Sequence, residues 1–166
     1  MKIINNLYTL VATLLLLTGL DANAQISKAE IRATGLTCSM CSNAINKQLK
    51  SLPEVVEVAT DLNTNTFVVT LTPGNTLSPK VFKDKVEKAG FFIGSLVLTT
   101  KSDTVKQPAY VLVNKASAGD ADIQIQVLDK GYVTEKEFKK LSKSFKNVET
   151  YAVSNEDDFH IKVLNQ

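Results

Sequence analysis

Two cysteines and one histidine are the residues in this chain best suited to chemistry. Cys38 and Cys41 lie in the run Gly35-Leu36-Thr37-Cys38-Ser39-Met40-Cys41, three positions apart. If a helix begins at this motif, the first cysteine sits in the preceding loop and the second in the first helical turn. Both sulfurs then face one small volume. Unpaired N–H groups and the positive end of the helix dipole favour thiolate over thiol there. Two thiolates are soft ligands and suit a low-coordinate soft ion such as Cu(I). They are too few for a closed zinc site, which takes four ligands. An open pair also lets a partner's thiol enter and remove the ion. The competing chemistry is thiol redox, since a C-x-x-C at a helix N-terminus can also cycle through a disulfide. Against that, no tryptophan flanks the motif.

The rest of the composition narrows the choice. One histidine argues against a His-based zinc enzyme or a Ser-His-Asp hydrolase, and no catalytic residue is assigned; the chain reads as a non-enzyme. Met40 is a further soft atom, but its place inside the motif points it away from the pair. His160, beside the acidic run Asn155-Glu156-Asp157-Asp158, reads as a solvated or edge histidine. The net charge is +2, from 19 basic and 17 acidic groups. That balance gives no argument for nucleic acid or an anionic membrane as the main partner. The lysines at 136, 139, 140, 143 and 146 read as a solvated face; the alternative, docking of an acidic partner, is diluted by Glu135 and Glu137.

The elements around the cysteines follow from local pattern. Residues 30–34 alternate as a strand, and residues 42–52 carry Ile45, Leu49 and Leu52 at helical spacing, ended by Pro53. Residues 55–58 and 67–71 are β-rich and flank a polar turn, predicting a hairpin. Ser78-Pro79 starts a second helix with Val81, Phe82, Val86 and Ala89 on its apolar face, and Gly90 ends it. Residues 92–99 are a last strand. The order βαββαβ predicts an α+β, ferredoxin-like fold for residues 25–100.

This segment resembles the heavy-metal-associated domain family. The matching residues are Gly35, Thr37, Cys38 and Cys41, then Leu49, Leu52-Pro53, Val55-Val56-Glu57-Val58, Phe67-Val68-Val69 and Ala89-Gly90-Phe91. The resemblance covers half of the mature chain. It implies the ferredoxin-like fold and binding of Cu(I), or in some members Hg(II), Zn(II) or Cd(II), through Cys38 and Cys41. It implies as partner a metal-transport or metal-accepting protein with exposed thiols. Leu36 replaces the family's usual methionine, which packs under the loop. Phe91 stands where soluble bacterial chaperones often carry tyrosine. The family reading is a Cu(I) carrier; its rivals are a periplasmic Hg(II) scavenger and a thiol redox protein.

Residues 1–24 read as a secretory signal peptide: Lys2, a 14-residue apolar run over 7–20, and an A-x-A site at Ala22-Asn23-Ala24. Such a run rises only about 21 Å as a helix, short of a ~30 Å hydrocarbon core. Removing 24 of the 166 residues leaves 142. The expected location is the periplasm, with secretion beyond the cell the alternative. No membrane span is expected in the mature chain.

Residues 101–108 read as a polar linker. Residues 109–166 read as a smaller ββαββ α+β domain of unknown role. It has strands over 109–113, 123–127, 148–153 and 159–163, and a helix opened by a Thr134/Glu137 capping box. Residues 116–120 read as a turn. A shift of 92 positions aligns six identities in the 27 residues from 45 to 71, among them Lys47 with Lys139 and Val56 with Val148. A degenerate repeat and a chance pattern match both account for that echo.

Overall fold

The computed structural model describes residues 26–114, 122–153 and 158–164. The signal segment 1–24, the turn over 116–120 and residues 155–157 of the acidic turn over 155–158 lie outside the described residues. No helix among the described residues is long and apolar enough to cross a membrane.

The first half follows the expected order. β1 (Ile26–Thr34) leads through the cysteine loop to α1 (Ser39–Lys50). A hairpin of β2 (Val55–Asp61) and β3 (Thr66–Leu71) comes next, then α2 (Pro79–Lys88) and β4 (Phe92–Lys101). β1 lies between β3 and β4 and is antiparallel to both. This is the ferredoxin-like arrangement β2-β3-β1-β4, with β1 and β3 at its centre and β4 at its edge. α1 and α2 bury Ile45, Leu49, Phe82 and Val86 against Ile31, Phe67, Val69, Leu96 and Leu98 of the sheet. Apolar residues at i and i+4 of each helix meet alternate residues of each strand, so helical period and strand period agree on one core.

Local signals act where the residue types suggest. Pro79 occupies the first helical position behind Ser78, which adopts the extended cap conformation without a side-chain cap bond. Gly90 takes φ +88° just after the α2 C-cap, the left-handed conformation that ends helices. α1 starts at Ser39, three residues before the expected start, so Cys41 is inside the helix.

The second half joins the same sheet. Its strands are β5 (Tyr110–Leu112), β6 (Asp122–Val127) and β7 (Phe159–Leu164), and its helices are α3 (Glu135–Ser144) and α4 (Glu149–Val153). β6 pairs antiparallel with the outer edge of β4, from Leu96 opposite Val127 to Lys101 opposite Asp122. β7 pairs antiparallel with β6, and β5 lies parallel to β7. The seven-stranded order is β2-β3-β1-β4-β6-β7-β5.

Three expectations are corrected here. The polar stretch expected as a linker contains a 3₁₀ turn (Ser102–Lys106) with Ser102 and Thr104 buried, and the Thr100 and Thr104 hydroxyls lie 2.6 Å apart. The Ser102 and Thr104 side chains turn inward, while Asp103 and Lys106 pair on the exposed side. The strand expected over 148–153 is helical, as α4, so ββαββ becomes ββααβ. Val148 and Tyr151 continue the three-and-four-residue spacing of Phe138, Leu141 and Phe145 into a second, smaller core. Burial there overrides the strand preference of Thr-Tyr-Ala-Val. The 92-residue echo breaks at the same place, because Glu57 lies in a strand and its counterpart Glu149 in a helix. The Thr134 cap is present: its hydroxyl accepts the Glu137 N–H at 3.2 Å.

Candidate metal centre

Cys38 is the N-cap residue of α1, extended at φ −152° and ψ 158°. Its carbonyl accepts the Cys41 N–H at 3.1 Å, closing the first turn. Gly35 makes the entry to this loop with φ +86°, a conformation that L side chains rarely adopt. Leu36 and Phe91 pack partly against the core beneath the loop. The loop is thus seated from below, and the cysteines face outward. Cys38 is exposed, Cys41 half-buried, and both are free thiols.

The electrostatics of the pair are asymmetric. The Cys38 thiol hydrogen-bonds the Cys41 sulfur and is the largest influence holding the Cys41 pKa below the ordinary cysteine value. Backbone N–H groups of Thr37, Cys38 and Cys41 act in the same direction, and slight desolvation opposes them. No acidic residue occupies the first turn of α1, so no carboxylate competes for these donors. A direct consequence is measurable. Iodoacetamide alkylates Cys41 with a pH midpoint below that of an ordinary cysteine, and Cys38→Ala moves that midpoint upward. A midpoint unmoved by Cys38→Ala, followed by peptide mapping, would contradict the hydrogen-bond account.

The surroundings limit what the pair can hold. Met40 is 78% exposed and turned to solvent. Among the described residues, no group of three or more His, Cys, Asp or Glu is placed to share a metal. Cys38 borders an open depression of about 300 Å³ with Leu36, Thr37, Ser42, Leu62 and Asn65. Two sulfurs beside an open approach suit an ion of low coordination number that is shared with an incoming ligand.

His160 is elsewhere and is not the solvated residue expected. It is 1% exposed. Phe159, Ile161 and Val163 of β7 face the main core. The period-2 alternation therefore turns His160 to the opposite side, against Tyr151 at 5.0 Å. Asp129 accepts the His160 N–H on Oδ2 at 2.7 Å and meets Nδ1 with Oδ1 at 2.7 Å. Nε2 lies 2.9 Å from the Thr150 hydroxyl. Burial pushes the Asp129 carboxyl up, and the His160 contacts only partly offset this. Sequence reasoning missed this buried polar set. Its signal is faint: a lone histidine alternating with apolar strand residues.

The comparisons with known proteins agree with the first half. Residues 30–92 match the family model of the heavy-metal-associated domain. A copper-exporting P-type ATPase of Staphylococcus haemolyticus is 45% identical over 51 residues, 31% of this chain and 6% of that protein. A probable copper-transporting ATPase HMA5 of Arabidopsis thaliana is 27% identical over 89 residues, 54% of this chain and 9% of that protein. This chain thus spans less than a tenth of either relative. Among solved structures, the yeast copper transporter domain Ccc2a, studied in apo and Cu(I)-loaded states, is 34% identical with a TM-score of 0.35. That match covers 39% of this chain and 86% of the yeast domain. Residues 30–92 thus match the heavy-metal-associated domain family, and this chain adds three further strands to the sheet they form.

Proposed function

We propose that Cys38 and Cys41 bind one Cu(I) ion and pass it to an acceptor protein with exposed thiols. The observation that carries this reading is the outward-facing pair itself, with the Cys41 thiol pKa lowered by the Cys38 hydrogen bond and no third donor clustered beside it among the described residues. The copper ATPase relatives support copper over mercury as the cargo. Transfer is ligand exchange without redox change. An acceptor thiol loses its proton and bonds the ion, one of this chain's cysteines releases it and takes up a proton, and the second exchange completes the handover. The chain acts as a carrier, not an enzyme. We read it as exported and cleaved after Ala24, so that the periplasmic form begins at Gln25.

Competitive titration of the reduced mature chain tests this. Cu(I) should bind at one equivalent and hold against a chelator that strips Zn(II). Equal retention of Zn(II) would defeat the two-ligand reading, and a marked preference for Hg(II) over Cu(I) would favour the scavenger. A Cys38–Cys41 disulfide that exchanges rapidly with substrate thiols would favour redox chemistry.

A further inference from the structure

The buried Asp129–His160 pair ends at the surface on a hydroxyl. Thr150 is the second residue of α4 and is exposed. Its Oγ lies 2.9 Å from His160 Nε2. On the other edge of the ring, Asp129 Oδ1 lies 2.7 Å from Nδ1. Carboxylate, imidazole and hydroxyl are thus joined in series through the two ring nitrogens.

The imidazole is held between its two partners. Asp129 Oδ2 accepts the His160 N–H at 2.7 Å, and the Leu128 N–H donates to the His160 carbonyl at 2.9 Å. The Tyr151 ring meets the imidazole edge-on at 5.0 Å, and the Tyr151 hydroxyl is itself tied to the Leu128 carbonyl at 2.7 Å. These partners set the tautomer. A backbone N–H only donates, so the carboxylate accepts it on Oδ2 and accepts Nδ1–H on Oδ1. Nε2 then turns its lone pair to Thr150, whose hydroxyl donates to it.

This is the order in which a hydroxyl becomes a nucleophile. The imidazole takes the proton as the oxygen attacks, and the carboxylate stabilises the cation that forms. The chain contains one histidine, so no other hydroxyl in it has this partner.

We propose that Thr150 is a modification site that accepts an acyl group from an activated ester. The Thr150 oxygen bonds the acyl carbon, the bond from that carbon to the leaving oxygen breaks, and its electron pair departs with that oxygen. The hydroxyl proton passes to His160 Nε2 and from there to the departing group. One threonine ester forms per chain and one alcohol is released, with no change of oxidation state. Asp129 acts as a positioning residue, through the tautomer it imposes. Neither cysteine takes part, so the site is independent of the ion that they hold.

The test treats the chain from Gln25 with p-nitrophenyl acetate and follows acetylation by peptide mapping, with exposed Thr70 as the internal reference. Thr150 should react about 100-fold faster than Thr70, the lower end of what a positioned base supplies. Its rate should rise with pH and level off once His160 is neutral, while that of Thr70 goes on rising. Asp129→Asn keeps the shape but presents an amide N–H to Nδ1, which moves the ring proton to Nε2. It should slow Thr150 about 100-fold. Thr150→Val should remove the fast site without changing Cu(I) affinity, and Thr150→Ser should keep it. In a Cys38→Ser, Cys41→Ser protein, whose loop cannot consume the ester, Thr150 should react unchanged. Reaction of Thr150 no faster than Thr70 would overturn the proposal. So would a folded Asp129→Asn protein that reacts like the wild type. If Asp129→Asn does not fold, the pH profile decides: a Thr150 rate that climbs without levelling assigns the reaction to hydroxide and overturns the role of His160.

Discussion

Replacing Cys38 and Cys41 together with serine lowers Cu(I) affinity by at least about 10,000-fold, or about 5.5 kcal/mol. A serine hydroxyl is hard and stays protonated near neutral pH, so both soft anionic bonds are lost at once. No neighbouring donor is placed to replace them, since Met40 faces solvent and the described residues hold no larger ligand cluster. The single variants rank by thiolate character. Cys41→Ser is the more damaging, because Cys41 is the sulfur whose pKa the loop lowers. Metal binding must displace the thiol protons of both cysteines, so wild-type affinity rises with pH until both are ionised. The fold is little affected, because Cys38 is exposed and Cys41 only half-buried. Competition against a Cu(I) chelator reads the affinity, and urea unfolding reads the stability, which should change by less than about 1 kcal/mol. A double variant that binds Cu(I) as tightly as the wild type would remove the site from these residues.

Asp129→Ala destabilises the protein by about 3 kcal/mol without changing Cu(I) affinity. The substitution leaves the His160 N–H and ring Nδ1 without their 2.7 Å partners in a buried position. Each buried group left unsatisfied costs about 1–3 kcal/mol. That is a large share of the 5–15 kcal/mol or so that holds a typical domain. Thr150→Val removes only the partner at Nε2, on an exposed residue, and should cost about 1 kcal/mol or less. Urea unfolding midpoints of the two variants decide the matter. A loss below about 0.5 kcal/mol for Asp129→Ala would mean that water reaches His160 and the cluster is not a structural clamp.

Much of the first half was legible because its signals are local. Ile45 and Leu49 mark a helix face, Pro79 and Gly90 sit at the two ends of α2, and alternation in β1 and β3 marks the core side. The cysteine motif was legible for the same reason: its spacing relative to a helix start is set within a few residues. The second half was less legible. Residues 148–153 have strand-like composition, yet they become α4 because Tyr151 is buried between Phe138 and Phe145.

The sequence by itself determined the βαββαβ order, the place of the C-x-x-C at a helix start and the limit of two cysteine ligands, since each rests on chemistry within one short segment. Tertiary structure alone decided that β6 extends the sheet from β4, that His160 is buried on Asp129, and that its other ring nitrogen meets Thr150. Those outcomes depend on which distant surfaces exclude water together. A period of two or 3.6 says that a face is buried, not what buries it.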